Sequence, residues 1–176
     1  MADIKMEPIT LRYTGLFDFD GLYAAITDWG KNYGYIWHET TYKHKVPTPA
    51  GAEQEIKWVM EKNVTEYIKY KFEILVHTWD QKEVEVEING QKRMMTTAKV
   101  ELVIKGTLTY DRQEIFKGGK FTALLGKWYE WKLIKQVETV YWDQLHYRTW
   151  NLHALIKKYF DMQKGKYAYK GYLGES

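Results

Sequence analysis

Apolar and polar residues alternate along much of the chain before residue 111, and this two-residue period predicts strands with one apolar face. The longest such stretch is 64–79, followed by a predicted turn at 79–82. The same pattern predicts further strands over residues 9–17, 35–46, 54–61, 83–88 and 99–110. Because the alternation holds through successive strands, we expect an antiparallel sheet with one buried and one solvated face.

Apolar residues recur every three or four positions in two places, which is typical of amphipathic helices. The first is a short helix over about 20–31, where Asp18 offers a capping group. The second is the long stretch 143–163 near the end of the chain. Its apolar stripe comprises Trp142, Leu145, Thr149, Leu152, Ile156 and Tyr159. A sheet with one apolar face needs a cover, and this helix is the best candidate.

Residues 128–139 fit both periods. Tyr129, Trp131, Leu133 and Val137 would share one face of a strand, whereas Trp128, Trp131, Ile134 and Val137 would share one face of a helix. We assign a seventh strand here, because Val, Trp and Tyr favour strands. The pattern thus predicts an α+β fold with seven antiparallel strands, a short helix after strand 1 and a long C-terminal helix. We assign residues 1–164 to a single domain and 165–176 to a short tail.

The composition narrows the classes of function. The sequence contains no cysteine, which excludes disulfides and thiolate metal sites. The net charge of +3 is small and its lysines are scattered, so nucleic-acid binding has little support. No apolar run reaches the length of a membrane span, and the N-terminus lacks a signal-peptide core. We therefore expect a cytoplasmic protein. The aromatic share of 16% is high and suits a large core, a pocket lining or an interface.

The order of elements resembles the helix-grip superfamily, the START-like and Bet v 1-like (SRPBCC) proteins. The resemblance covers about residues 9–163 and depends on topology and patterning, because the chain lacks the glycine-rich loop found in plant members. It implies a curved seven-strand sheet wrapped around the C-terminal helix. It also implies a cavity between them for a lipid-like, polyketide-like or other apolar ligand. Such folds serve carriers, enzymes and interaction proteins alike, so the fold does not establish the function.

Our first hypothesis is therefore non-catalytic binding of a small hydrophobic molecule between the sheet and the C-terminal helix. The residues expected to line the site share the predicted inner faces: His38, Tyr42, Trp58, Tyr70, Phe72, Leu145, Thr149 and Leu152. The alternative for the aromatic side chains among them is an ordinary core. The alternative for His38 is a hydrogen-bonded core histidine.

Two other functions stay open. A structural or self-assembling protein would use aromatic surface patches, including Trp37 and Trp150, and would form a homo-oligomer. A cyclase or hydratase would use His38 and Tyr70, and it has the least support. We predict no catalytic residues and no cofactor. We also predict no metal site: His38 and His44 lie roughly 20 Å apart along a strand, and His146 and His153 roughly 10 Å apart along a helix. A site combining strand and helix histidines stays open.

Overall fold

The computed structural model describes residues 2–48, 51–88, 91–110 and 137–160. Six strands and two α-helices lie in these ranges. In chain order they are β1 (Ala2–Lys5), β2 (Ile9–Phe17), α1 (Phe19–Asn32), β3 (Ile36–Thr48), β4 (Gly51–Asn63), β5 (Ile68–Ile88), β6 (Gln91–Tyr110) and α2 (Asp143–Tyr159), with a π-helical segment (Val137–Trp142) directly before α2.

The strands form one curved antiparallel sheet in the order β1-β6-β5-β4-β3. β1 and β2 lie one after the other along the same edge of β6. Between them the amide of Met6 donates to the carbonyl of Gly106 at 2.9 Å. Pro8 follows, and since proline has no N–H to donate, it is suited to a break in an edge strand. The edge is thus a single strand interrupted at Met6 to Pro8.

One face of the sheet and both helices enclose a single core. The inner face presents alternate residues of β4, β5 and β6, as the alternation predicts. Asp18 caps the start of α1, since its side chain accepts a hydrogen bond from the amide of Gly21. The helix contributes Leu22, Ile26 and Trp29 to the core. α2 contributes Leu145, Thr149, Leu152 and Ile156. The α+β class and the covering role of the C-terminal helix are confirmed.

The strands differ from the prediction in number and extent. β1 was not predicted, so the helix over Phe19–Asn32 follows the second strand instead of the first. The predicted turn at 79–82 is wrong, because β5 continues through it to Ile88. A register irregularity between Trp79 and Lys82 replaces the turn, and Asp80 adopts a positive φ of 55° there. A bulge of this kind accommodates turn-type residues without ending a strand.

The predicted seventh strand, 128–139, lies mostly outside the described residues. Its last three residues belong to the π-helical segment, so the strand assignment is wrong for them. The predicted tail, 165–176, and the last residues of the predicted 143–163 helix also lie outside the described ranges.

A bulge in β3 changes which side chains face the core. Glu39 pairs with Trp58 and Thr41 pairs with Lys57, so Thr40 is an extra residue in the ladder. Before the bulge Trp37 faces the core, where its ring lies 5.4 Å from that of Trp58. Before the bulge the predicted face, which placed His38 inward and Trp37 outward, is therefore wrong, whereas after the bulge Tyr42 lies on the inner face as predicted. A shift of one residue moves every side chain to the opposite face.

The outer face is polar and contains ion pairs within and between strands. Lys69 pairs with Glu61 at 2.6 Å, and Glu73 accepts from Lys71 at 3.0 Å and Lys57 at 3.2 Å. Partial burial acts to raise the pKa of Glu73, but the hydrogen bonds from these two lysines lower it below its ordinary value. The charges therefore compensate each other across the strands.

Among the described helices, none is both long enough and apolar enough to cross a membrane.

Candidate functional site

An open depression of about 420 Å³ lies where the end of α1 meets the π-helical segment and the first half of α2. A hydrogen bond joins α1 to α2 beside this depression: the indole of Trp29 donates to the side-chain carbonyl of Asn151 at 2.7 Å. The lining residues come from three elements: Tyr33, Val140, Asp143, Gln144, Tyr147, Arg148 and Asn151.

Two cations lie beside this depression among tyrosine rings. The guanidinium of Arg148 is 5.1 Å from the centre of the Tyr33 ring, and it donates to the Tyr35 hydroxyl at 3.4 Å. The ammonium of Lys62 donates to the carbonyl of Tyr33 at 2.6 Å and lies 5.9 Å from the centre of the Tyr35 ring. These contacts orient both cations through aromatic faces and neutral oxygens.

Neither cation forms an ion pair with a carboxylate of the described ranges, unlike Arg12 and Lys69 on the outer face. The pKa of Lys62 is lowered, first by loss of hydration and then by the neighbouring charge of Arg148. The pKa of Tyr35 is raised by burial, although the hydrogen bond and charge of Arg148 act in the opposite direction. Two neighbouring positive charges with no carboxylate between them favour the binding of an anion.

The depression lies next to Tyr70, one of the residues predicted to line a ligand site. The buried Tyr70 hydroxyl donates to the carbonyl of Tyr141 at 2.7 Å and lies 3.1 Å from the side-chain oxygen of Gln144. Gln144 in turn lines the depression. The depression therefore borders the layer between the sheet and α2.

Six of the eight predicted site residues lie in the buried core between the sheet and the two helices. Each is at most 1% exposed: Trp58, Tyr70, Phe72, Leu145, Thr149 and Leu152. The sequence pattern thus placed these six on the same side of the sheet. Whether they contact a ligand stays a prediction.

Thr149 is the polar member of this group, and its hydroxyl already has a partner. It lies 2.8 Å from the carbonyl of Leu145 in the same helix and 3.3 Å from the sulfur of Met6. A threonine bonded to its own helix needs no polar ligand. The hydroxyl of Thr149 in the apolar stripe of α2 therefore has a hydrogen-bond acceptor within its own helix.

The other two predicted site residues lie outside the core. His38 pairs with Val59 and is exposed on the outer face, on the far side of the sheet from Tyr70. Since the two side chains do not face a common space, they do not form the acid–base pair of the enzyme hypothesis. Tyr42 pairs with Ile56 on the inner face, but it is 57% exposed because it lies past the cover of the helices.

The sequence pattern missed the two cations. Arg148 directly precedes Thr149 of the apolar stripe and resembles any solvated helix residue in the sequence. Lys62 falls at the end of β4 in a segment that the pattern predicts as a connection. Only their joint approach to Tyr33 and Tyr35 distinguishes them, and no local pattern encodes it.

The antiparallel sheet of six described strands and its covering C-terminal helix make this an α+β protein whose architecture is compatible with a helix-grip-like fold. A scan of protein-family models and a search of curated proteins gave no match to the sequence.

Proposed function

We propose that the protein binds a small, predominantly hydrophobic molecule that carries an anionic group, without catalysing a reaction on it. The ligand enters at the depression between α1 and α2 and extends toward the layer between the sheet and α2. The observation that carries this proposal is the pair of cations, Arg148 and Lys62, beside tyrosine rings and without a described carboxylate partner.

The charge argument favours an anion at this position. Arg148 offers a planar set of donors that matches a carboxylate or sulfonate. Among the described residues that line the depression, Asp143 is the only carboxylate, and it is exposed. It opposes the anion weakly, because exposed charges are well screened.

The surrounding side chains supply apolar surface for the rest of the ligand. Val140 is 55% exposed and Tyr147 is 74% exposed, and both line the depression. Tyrosine combines an apolar ring with a polar tip and is common where a ligand is partly buried. A molecule with an acidic head and an aliphatic or aromatic body would cover these surfaces.

The test uses 1-anilinonaphthalene-8-sulfonate as a fluorescent probe and two competitors of equal chain length, dodecanoate and 1-dodecanol. We expect dodecanoate to displace the probe at lower concentration than the alcohol. Arg148→Gln should weaken dodecanoate binding about tenfold or more, since a hydrogen bond to a charged group contributes roughly 1.5–3 kcal/mol. It should leave 1-dodecanol almost unaffected.

Two further variants serve as comparisons. Arg12→Gln removes another arginine, which pairs with Glu101 on the outer face, and should change nothing. Asp143→Asn removes the opposing carboxylate and should strengthen dodecanoate binding. Equal competition by acid and alcohol, with no effect of Arg148→Gln, would exclude the anion site. Absence of saturable probe binding would exclude the ligand-binding function itself.

A second candidate function is self-assembly, and one observation favours it. β3 is an edge of the described sheet, and two large apolar side chains on it, Ile36 and Tyr42, are more than half exposed. Exposed apolar edge strands pair readily with other chains. Sedimentation velocity over a hundredfold range of concentration would test it. Ile36→Lys should shift any dimer toward monomer, and a monomer at every concentration would exclude the function.

A further inference from the structure

Three side chains on the outer face of the sheet bring metal-ligating atoms together, far from the depression between the helices. They are Glu53 and Glu55 of β4 and His77 of β5, and their ligand atoms all lie within 4.8 Å of one another. The Nε2 atom of His77 lies 2.8 Å from one oxygen of Glu53 and 3.9 Å from Oε1 of Glu55. The cluster contains both an imidazole and two carboxylates, so its chemistry differs from that of an acidic patch.

These separations suit a small divalent cation. Zn²⁺ binds nitrogen and oxygen ligands at about 2.0–2.2 Å, so neighbouring ligand atoms lie about 2.8–3.1 Å apart in octahedral geometry and about 3.3–3.6 Å apart in tetrahedral geometry. The separation between His77 and Glu53, 2.8 Å, lies below the tetrahedral range, and the separation between His77 and Glu55, 3.9 Å, lies above it. Rotations of the glutamate side chains would bring both distances into it without a change in the strands. Imidazole and carboxylate together favour zinc and neighbouring transition metals over Ca²⁺ or Mg²⁺.

The backbone places the three ligands on adjacent, paired strands. Glu55 and His77 are direct partners in the ladder between β4 and β5. The His77 ring packs on Trp79, with ring centres 3.9 Å apart, which restricts the orientation of the imidazole. Glu55 and His77 lie in a regular part of the ladder, whereas Glu53 lies at a register irregularity. Ligands on strands are held more precisely than ligands on loops.

The two oxygens of Glu55 have different neighbours. Lys43 lies 3.5 Å from Oε2, whereas Oε1 is the atom directed toward His77. The ammonium therefore leaves one oxygen available to a cation. Its positive charge opposes the cation, and removal of Lys43 should strengthen binding.

A groove of about 350 Å³ adjoins the cluster on the same face and is lined in part by Glu55, His77, Lys43 and Lys57. Three protein ligands leave at least one position of a tetrahedral metal open. The groove gives that position access to water.

We propose that Glu53, Glu55 and His77 bind one Zn²⁺ ion, with the remaining position open to solvent in this groove. The site is independent of the proposed ligand depression, since the two lie on opposite sides of the sheet.

The test is a titration of the full-length, tag-free protein with ZnCl₂ after treatment with a chelator, followed by isothermal calorimetry. Co²⁺ serves as a second, spectroscopic probe, because its visible absorption reports imidazole and carboxylate coordination. We expect one Zn²⁺ per chain. His77→Ala should weaken binding at least tenfold, Glu53→Gln should weaken it several-fold, and Lys43→Met should strengthen it.

His38→Ala is the matched control, since His38 is an exposed histidine on the same face of the sheet but outside the cluster. Circular dichroism would verify that each variant is folded, and Glu53→Gln preserves the test if His77→Ala is not. Equal zinc affinity in the wild type and in folded His77→Ala or Glu53→Gln would overturn the proposal, as would the absence of saturable binding to the wild type at 1 mM ZnCl₂. Loss of binding in His38→Ala would place the metal elsewhere and would also overturn it.

Discussion

At the scale of single residues, Tyr70 shows how one polar atom is accommodated in an apolar core. Its ring is fully buried on the inner face, and its hydroxyl donates to the carbonyl of Tyr141 directly before α2. Burial, and to a lesser extent the neighbouring Tyr35, raises the pKa of this hydroxyl above its ordinary range. The neutral phenol is thus the form that the folded state stabilises.

Tyr70→Phe should therefore lower the free energy of unfolding at pH 7 by about 0.5–1.5 kcal/mol, the typical contribution of a hydrogen bond. It should also reduce the decrease in the free energy of unfolding that accompanies a rise in pH above about 10. Because the pKa is raised in the folded state, the stabilisation is complete below about pH 10 and is lost as the pH rises from there toward the folded pKa. Urea denaturation at pH 7 to 11 measures both effects. Tyr42→Phe, at an exposed tyrosine, is the control, and an identical pH profile in the wild type and Tyr70→Phe would contradict the assignment.

Gly51 is a second position where a single residue determines local packing. Its φ is 140°, and a Cβ placed on it would collide with the backbone of Asp80. We expect Gly51→Ala to destabilise the protein by more than about 1 kcal/mol, since both the backbone conformation and the space favour glycine. Asp80→Asn, which removes only an exposed ion pair with Lys99, should change stability by less than about 1 kcal/mol. Thermal unfolding followed by circular dichroism compares the two, and equal stability of Gly51→Ala and wild type would contradict the argument.

At the scale of elements, α2 is bound to the sheet by its apolar stripe. Leu145, Leu152 and Ile156 are fully buried, and Thr149 lies among them with its hydroxyl bonded to the carbonyl of Leu145. The stripe thus acts as an apolar surface in spite of its threonine. A helix held in this way depends on side-chain volume more than on polar contacts.

Leu152→Ala should accordingly destabilise the protein by about 2–5 kcal/mol, because it leaves a cavity under α2. Thr149→Val keeps the shape of the side chain and loses a bond within one helix, so its effect should be smaller than about 1 kcal/mol. Chemical denaturation measures both variants. A larger loss for Thr149→Val than for Leu152→Ala would show that the hydroxyl has a role beyond the helix.

At the scale of the whole molecule, the core is continuous. Buried residues from β2, α1, β4, β5, β6 and α2 belong to one cluster that includes Met6, Trp29, Trp58, Leu102 and Ile156. The partly buried Ile4 of β1 and Trp37 of β3 pack against it. The β1–β2 edge reaches α2 directly, since the Met6 sulfur contacts Thr149. With one cluster shared by all of these elements, no described element has a core of its own.

We therefore expect a single cooperative unfolding transition. Tryptophan fluorescence, to which the buried Trp29 and Trp58 contribute, and far-ultraviolet circular dichroism should give the same midpoint in urea. Two separate transitions, or midpoints that differ between the probes, would contradict a single cooperative unit.

Local sequence patterns predicted much of the fold, but they did not predict the candidate sites. Alternation identified the inner residues of β4, β5 and β6, including Trp58, Tyr70 and Phe72, because the side chains of a strand alternate by geometry alone. The same rule gave the wrong orientation for His38, because the bulge at Thr40 is a property of the pairing with β4. The groupings of Arg148 with Lys62, and of His77 with Glu53 and Glu55, join residues that are distant in sequence.

The sequence by itself determined the α+β class, the apolar face of the sheet and the helix that covers it, since each follows from a period of two or 3.6 residues that the chain carries locally. The tertiary structure alone decided the registers, the bulges at Thr40 and Asp80, and the edge formed by β1 and β2. It also decided which charged side chains meet. Those features depend on where strands pair and where helices dock, and the free energy of these contacts is shared among residues far apart in the chain.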